Sequence, residues 1–258
     1  MSFEQMEFPF VGDLAEKRTR SSYDRRNDPL SLRNQFDGCG RFGIPLVRRQ
    51  DIDLDDVRLI ACTNVVEKER EYRHCGVHSF VDDFKFRNPY EDPARTFPIY
   101  SQYSFCCTPD FSVYGEMPPW RQIASVAQNR WCGAWWQAHG MKVVTTISWD
   151  KYPSFGFCFD DVETGAVVAI ATYACHAGRG GFMRGYDAML EHIRPSAVIC
   201  YGEPFAEMRG NVIAVPVCHP RCFSTAALIW ANGGVVSHAE PQRRRGFGEQ
   251  SAARKGSI

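Results

Sequence analysis

This sequence has no long hydrophobic run and no excess of charge of either sign. Its longest apolar stretches, such as residues 166–171 and 212–217, are far shorter than the roughly 20 residues a membrane-spanning helix needs, and they suit buried strands. Lysine and arginine number 30 against 30 aspartates and glutamates, a formal net charge of +0. No global field therefore draws the chain to nucleic acid or to an anionic membrane, and any such contact has to be local. Residues 1–13 mix Glu4, Glu7 and Pro9 with phenylalanines and lack a basic region followed by an apolar core. A secretory signal is not expected, and the expected location is the cytoplasm, with no membrane partner. No internal repeat is visible.

Cysteine is plentiful instead, with 11 residues. Without an export signal these read as reduced thiols rather than a disulfide framework. Cys106, Cys107, Cys158, Cys175 and Cys200 fall within or at the ends of apolar runs, where a free cysteine behaves as a small buried hydrophobe. Two clusters, His74-Cys75-x-x-His78 and Cys218-His219-x-x-Cys222, have spacings usable by a tetrahedral zinc site. Neither is a CxxC repeat, and structural zinc is not expected.

The organisation that follows is an arginine-rich mobile arm over residues 1–34, one α/β domain over 35–232, and a disordered basic tail over 233–258 carrying Arg243-Arg244-Arg245. Strands are expected at 57–62, 103–107, 142–148, 155–159, 166–173, 197–201 and 211–217, with 160–165 as a turn. Met117-Pro118-Pro119 opens a helix, because proline suits the first helical turn, and Gly140 closes it. Trp120, Ile123, Ala124, Ala127, Trp131, Ala134, Trp135 and Ala138 recur along it at helical spacing and read as one packing face. A second helix over 182–193 links two apolar strands. This strand–helix–strand unit builds a parallel sheet by right-handed crossovers, either an open sheet or a partial TIM-like barrel.

In such folds ligands bind at the carboxyl ends of the strands. That rule selects Asp110 and Ser112, then Trp149 and Asp150, then Cys175 and His176, then Tyr201, Gly202 and Glu203. Asp110, Asp150, Glu203 and His176 are the candidate catalytic groups. The carboxylates suit general acid–base work or a divalent cation, the one cofactor this chemistry would use. Ser112, Trp149, Tyr201 and Gly202 are candidate substrate contacts. Arg179, in the Gly178-Arg179-Gly180-Gly181 loop before a helix, is another, because such a loop can accept an anion. The loop lacks the Lys-Ser/Thr ending of a nucleotide P-loop.

The segment from Asp82 to Gly202 resembles the domain-of-unknown-function family DUF4417, met in bacteria and in phage and plasmid genomes. The resemblance is carried by Asp82-Asp83-Phe84, by Pro109-Asp110-Phe111-Ser112-Val113-Tyr114 with Met117-Pro118, and by Gln122, Asn129-Arg130, Gly140 and Trp149. Phe157-Cys158-Phe159-Asp160, the strand over 166–172, Gly185, Pro195 and Tyr201-Gly202 complete it. The chain departs from the pattern at 161–165, where the family resembles a shorter glycine-proline turn, and at Ala174, where it has glycine. The resemblance implies a mobile-element setting and no inherited catalytic residue.

Two functional expectations result. One is a phage or mobile-element enzyme acting on a nucleotide, nucleic acid or other phosphate-bearing substrate through the strand-end carboxylates. The other is a noncatalytic DNA- or partner-binding accessory protein whose basic arms contact phosphates.

Overall fold

The computed structural model describes residues 21–217 apart from 39, 174, 176 and 177. Its elements are α1 (Ser22–Arg26), α2 (Pro29–Leu32), β1 (Leu59–Ala61), β2 (Gly76–His78), a 3-10 turn (Asp83–Lys85), α3 (Asn88–Glu91), α4 (Pro93–Tyr100) and β3 (Phe105–Cys107). They continue with α5 (Pro119–Ala138), β4 (Val143–Thr146), α6 (Phe155–Cys158), β5 (Val167–Ala171), α7 (Arg179–Ile193), β6 (Ala197–Tyr201) and β7 (Val212–Val215). The expected tail over 233–258 and the cluster Cys218-His219-x-x-Cys222 lie outside the described residues. Of the expected arm, residues from Ser21 on are described. Ser21 and Asp24 cap α1 reciprocally and Asp28 caps α2. Arg33 then lays its guanidinium over the rings of Tyr90 and Trp131, at 4.2 and 4.0 Å.

Among the described residues the seven strands are all parallel and adjacent in chain order, β1 to β7. Because each right-handed crossover steps the same way, the connecting helices gather on one face and leave the other face to be closed by curling. The curl is measurable. Strands β2 and β6 stand four spacings apart, about 19 Å in a flat sheet, yet the rings of His78 and Tyr201 are 4.3 Å apart. The sheet is a half-barrel, the partial-barrel form of the expected α/β class.

Alternation along the strands sorts the core into two faces. Leu59, Phe105, Cys107, Val144, Val167, Ala169, Ala197, Ile199 and Tyr201 fill the concave side. Ile60, Val77, Cys106, Val143, Val168, Ile170, Val198 and Cys200 meet the helices. Burial on both faces explains the near-continuous apolar runs of β5 and β6. Tight curling needs small residues beside large ones, and Gly76 is the clearest case. A Cβ there would lie 2.2 Å from the ring of Phe105, its register partner. Gly76→Ala is therefore expected to cost about 1–3 kcal/mol by overpacking. Chemical denaturation checks this, and Phe105→Leu should recover part of the loss in the same chain.

Two expectations about local structure need correction. Residues 155–159 are not a strand but the helix α6, with the N–H groups of Phe157 and Cys158 donating to Ser154 O at 3.1 and 3.0 Å. The aromatic pair Phe155 and Phe159 is spaced four apart and its rings stand 5.7 Å apart, a helical contact that a period of two hides. Helix α5 begins and ends where expected, with Gly140 at φ +79 closing it, but its inner face is turned. Trp131, Ala134 and Trp135 are buried, whereas Trp120 is largely exposed and Ala138 is exposed. In their place Gln122, Ser125, Asn129 and Arg130 are buried, and Asn129 and Arg130 meet carbonyls at the ends of β3 and β4 that apolar side chains would leave unsatisfied.

Strand β1 falls within the expected strand at 57–62, whereas β2 and the segment around Glu69 carry no periodic signal. The β1–β2 crossover has no helix, and Glu69 organises it. Its carboxylate accepts N–H bonds from Arg70, Glu71 and Tyr72 and the hydroxyl of Tyr103. The Tyr72 N–H first among these holds the Glu69 carboxyl below the usual range despite its burial.

Candidate active site

The backbone ladder between β3 and β4 stops at the bond from Thr108 N–H to Val144 O, 2.9 Å. Beyond it, side chains replace backbone. Thr146 N–H donates to Thr108 Oγ1 at 2.8 Å, and Thr146 Oγ1 donates to Thr108 O at 2.6 Å. Asn129 Nδ2 spans the gap from α5, donating to Pro109 O at 2.8 Å and Thr146 O at 3.2 Å. The guanidinium of Arg130, fully buried, reaches Asn129 Oδ1 (2.6 Å), Thr146 O (3.3 Å), Cys158 O (2.7 Å) and Asp160 O (3.3 Å). The two strands therefore part, and two residues further on each delivers a polar side chain, Asp110 and Ser148, into the opening.

Ser148 Oγ donates to Asp110 Oδ1. Burial pushes the Asp110 carboxyl up to about 6, the Ser148 hydroxyl pulls it partly back, and the charge of Asp83 raises it again. Asp83, on the 3-10 turn, is held in place because it accepts both the N–H (3.1 Å) and the hydroxyl (2.6 Å) of Ser112. A cavity of about 840 Å³ opens here, of a size that takes a ligand as large as a nucleotide.

Of the residues expected at the site, Asp110, Ser112, Trp149, Asp150 and Cys175 line this cavity together. Trp149 is wedged against α7, where a Cβ on Gly185 would lie 2.0 Å from its indole nitrogen. The Asp150 N–H donates to Ser154 Oγ at 3.2 Å, and its carboxylate abuts Gly115. The others stand apart. Glu203 is exposed and outside the cavity wall, and its carbonyl accepts the Thr172 hydroxyl at 2.9 Å. Gly202, at φ +111, lets the chain turn above Thr172 Oγ1, 2.7 Å from where a Cβ would be. Tyr201 lies beneath the cavity, its ring 5.3 Å from that of Phe80, which lines it. Arg179 pairs with Glu207 and lies over Phe205, outside the cavity wall. His176 lies outside the described residues.

Two partners at the site, Ser148 and Asp83, are not among the expected site residues, Ser148 because it is the last residue of the expected strand 142–148. Asp83 had one signal, its place beside the Pro-Asp-Phe-Ser stretch in the family resemblance. The His74-Cys75-x-x-His78 spacing does not form a site. Among the described residues no three His, Cys, Asp or Glu side chains gather to hold a metal ion. His78 instead packs against both Phe80 and Tyr201, and its Nδ1 accepts the Phe80 N–H at 3.1 Å.

Burial depresses the His78 ring to about 4 from 6.5. The unfolded chain then takes up this proton first, so this group's contribution to stability falls as pH drops from 6.5 towards 4. His78→Gln, which keeps an acceptor for Phe80, should remove up to about 3 kcal/mol of that acid loss. Denaturant midpoints at pH 7 and pH 4 measure it.

Comparison with known proteins supplements the geometry. Residues 36–217 match the model of a family described as a domain of unknown function, DUF4417. The Gene 1 protein of Mycobacterium phage L5 is 31% identical over 182 residues, spanning 68% of this chain and 78% of its own. The Gene 1 protein of Mycobacterium phage D29 is 31% identical over 181 residues, spanning 68% of this chain and 66% of its own. No solved structure matches the chain. The matched region contains every residue of the cavity wall.

Proposed function

We propose that this chain, which belongs to the DUF4417 family, is an enzyme whose strand-end cleft takes the base of a nucleotide or nucleic acid and exchanges a proton with it through Asp110. The observation that carries the reading is a carboxyl poised at about 6, hydrogen-bonded to Ser148, on the wall of a cavity of nucleotide size. Such a group is part protonated at neutral pH and serves as donor or acceptor to a ring nitrogen.

The charge of the cleft decides how such a ligand sits. Asp82, Asp110, Glu116 and Asp150 outnumber Lys85 and Lys151 on the wall, and Lys85 already pairs with Asp82 at 2.9 Å. A phosphate about 6 Å from a carboxylate is repelled by about 3 kcal/mol at an effective dielectric of about 20. A base is neutral, donates N–H groups to carboxylates and stacks on Trp149 and Phe182, which also lie on the wall. The base therefore enters and the phosphate stays out, so the phosphate-first form of the expectation gives way to a base-first one. Asp150 supplies a second acceptor on the wall.

The test is calorimetric titration of the full chain with the common nucleosides and their 5′-monophosphates, repeated with Asp110→Asn. Binding of at least one nucleoside, no tighter for its phosphate, and a pH dependence centred near 6 that vanishes in Asp110→Asn are expected. No nucleoside binding, or a pH profile unchanged by the substitution, overturns the reading. Binding without any turnover of base, sugar or phosphate would leave a noncatalytic binding module.

A further inference from the structure

We infer that the ligand is a single-stranded nucleic acid, held by a ring of aromatic side chains around the cleft, one from each of four consecutive loops. This rests on the reading that a base enters at Asp110. Phe84 follows β2, Tyr114 follows β3, Tyr152 follows β4 and Tyr173 follows β5, and they are 69%, 59%, 80% and 57% exposed. Large aromatic rings held in water on neighbouring loops mark a surface that something covers. Tyr114 and Tyr173 belong to the cavity wall, so a free nucleoside would meet them. Phe84 and Tyr152 do not belong to it, and a monomer in the cleft leaves them unused.

The charges fall in the same order. Lys85 and Lys151 adjoin Phe84 and Tyr152 in sequence and reach the cavity wall from the rim, with Lys85 Nζ 5.4 Å from the Phe84 ring. A strand threaded across the mouth would put one base in the acidic interior. Its neighbours would stack on Phe84 and Tyr152, and its phosphates would lie outside, on the side of Lys151, since Lys85 already pairs with Asp82. Stacking on aromatic faces beside basic side chains is the sequence-tolerant way of holding single strands. A base reached in this way has to be unstacked, which a single strand allows at least cost.

Fluorescence anisotropy of the full chain with labelled DNA and RNA strands of about a dozen nucleotides tests this. Phe84→Ala and Tyr152→Ala, both at exposed positions, should each weaken strand binding by about 5- to 150-fold, the loss of one base-stacking contact. Both should leave nucleoside binding unchanged, and a duplex of the same sequence should bind more weakly than either strand. The better of the DNA and RNA strands identifies the sugar. Contributions from Arg243-Arg244-Arg245 are common to the parent and both variants and cancel in the comparison. Strand binding unaffected by both substitutions, or no tighter than nucleoside binding, overturns this inference while leaving the base-binding cleft intact. Absence of nucleoside and strand binding together removes both. A short lysine-rich peptide that loses affinity in the two variants, where the strands do not, would replace nucleic acid with a basic polypeptide.

Discussion

Asp110→Asn is expected to yield a protein more stable than its parent at pH 8 by about 2 kcal/mol, and to lack the proton exchange proposed for this carboxyl. Burial disfavours the charged carboxyl, so its folded pKa of about 6 lies above the ordinary 3.8. At pH 8 the group is ionised in both states and the folded state bears the cost of that ionisation. As pH falls through 6 the folded carboxyl takes its proton first, and near pH 4 the cost has largely gone. Asparagine is neutral throughout and its Oδ1 still accepts the Ser148 hydroxyl. The gain should therefore be present above pH 6, shrink between 6 and 4, and vanish below. Two pK units correspond to nearly 3 kcal/mol, and the partial solvent access of Asp110 lowers that somewhat. Urea denaturation of both proteins at pH 8 and pH 4 gives the answer. An equal difference at the two pH values would mean that Asp110 is not the strained group described, and with it would go the reason to assign it proton transfer. A gain in stability paired with a loss of function is what a destabilised functional residue leaves behind when removed.

Arg130→Met should act in the opposite direction, costing about 3 kcal/mol or more. Replacing a buried charge by an apolar side chain of similar volume is often harmless, because the desolvation penalty disappears with the charge. Burial does draw the Arg130 guanidinium down, to about 10, so this penalty is present. The partners decide the balance. Thr146 O and Asn129 Oδ1 keep other donors, but no other bond to Cys158 O or Asp160 O appears among those described. Both are backbone carbonyls that no compensating substitution can remove, and each orphaned acceptor costs about 1–3 kcal/mol. Thermal unfolding should show a large drop in Tm. Arg130→Lys, with a charge but no fork, should fall between. If Arg130→Met proves neutral, the desolvation cost of the guanidinium outweighs its bonds, and Arg130 is not what holds the parted ends of β3 and β4.

Helix α5 marks where sequence reading succeeds and where it stops. Its limits are written locally, in Pro118-Pro119 and in Gly140, whose φ of +79 suits glycine. Its inner face is not, because Asn129 and Arg130 are buried by the acceptors they meet on β3, β4 and α6 rather than by their own polarity. Residues 155–159 failed for a related reason: with four aromatic or sulfur-bearing side chains in so short a run, periods of two and of four look alike.

The sequence by itself determined the parallel α/β class, the β5–α7–β6 crossover, and the delivery of Asp110, Ser112, Trp149 and Asp150 to strand ends, because period, caps and breakers act between near neighbours in the chain. Only the tertiary structure decided which strand ends meet. Curling brings His78 of β2 against Tyr201 of β6, sets Asp83 on Ser112, and leaves Glu203 exposed. That outcome depends on how small and large side chains share the concave face and on where β3 and β4 part, and both are contacts between residues far apart in sequence.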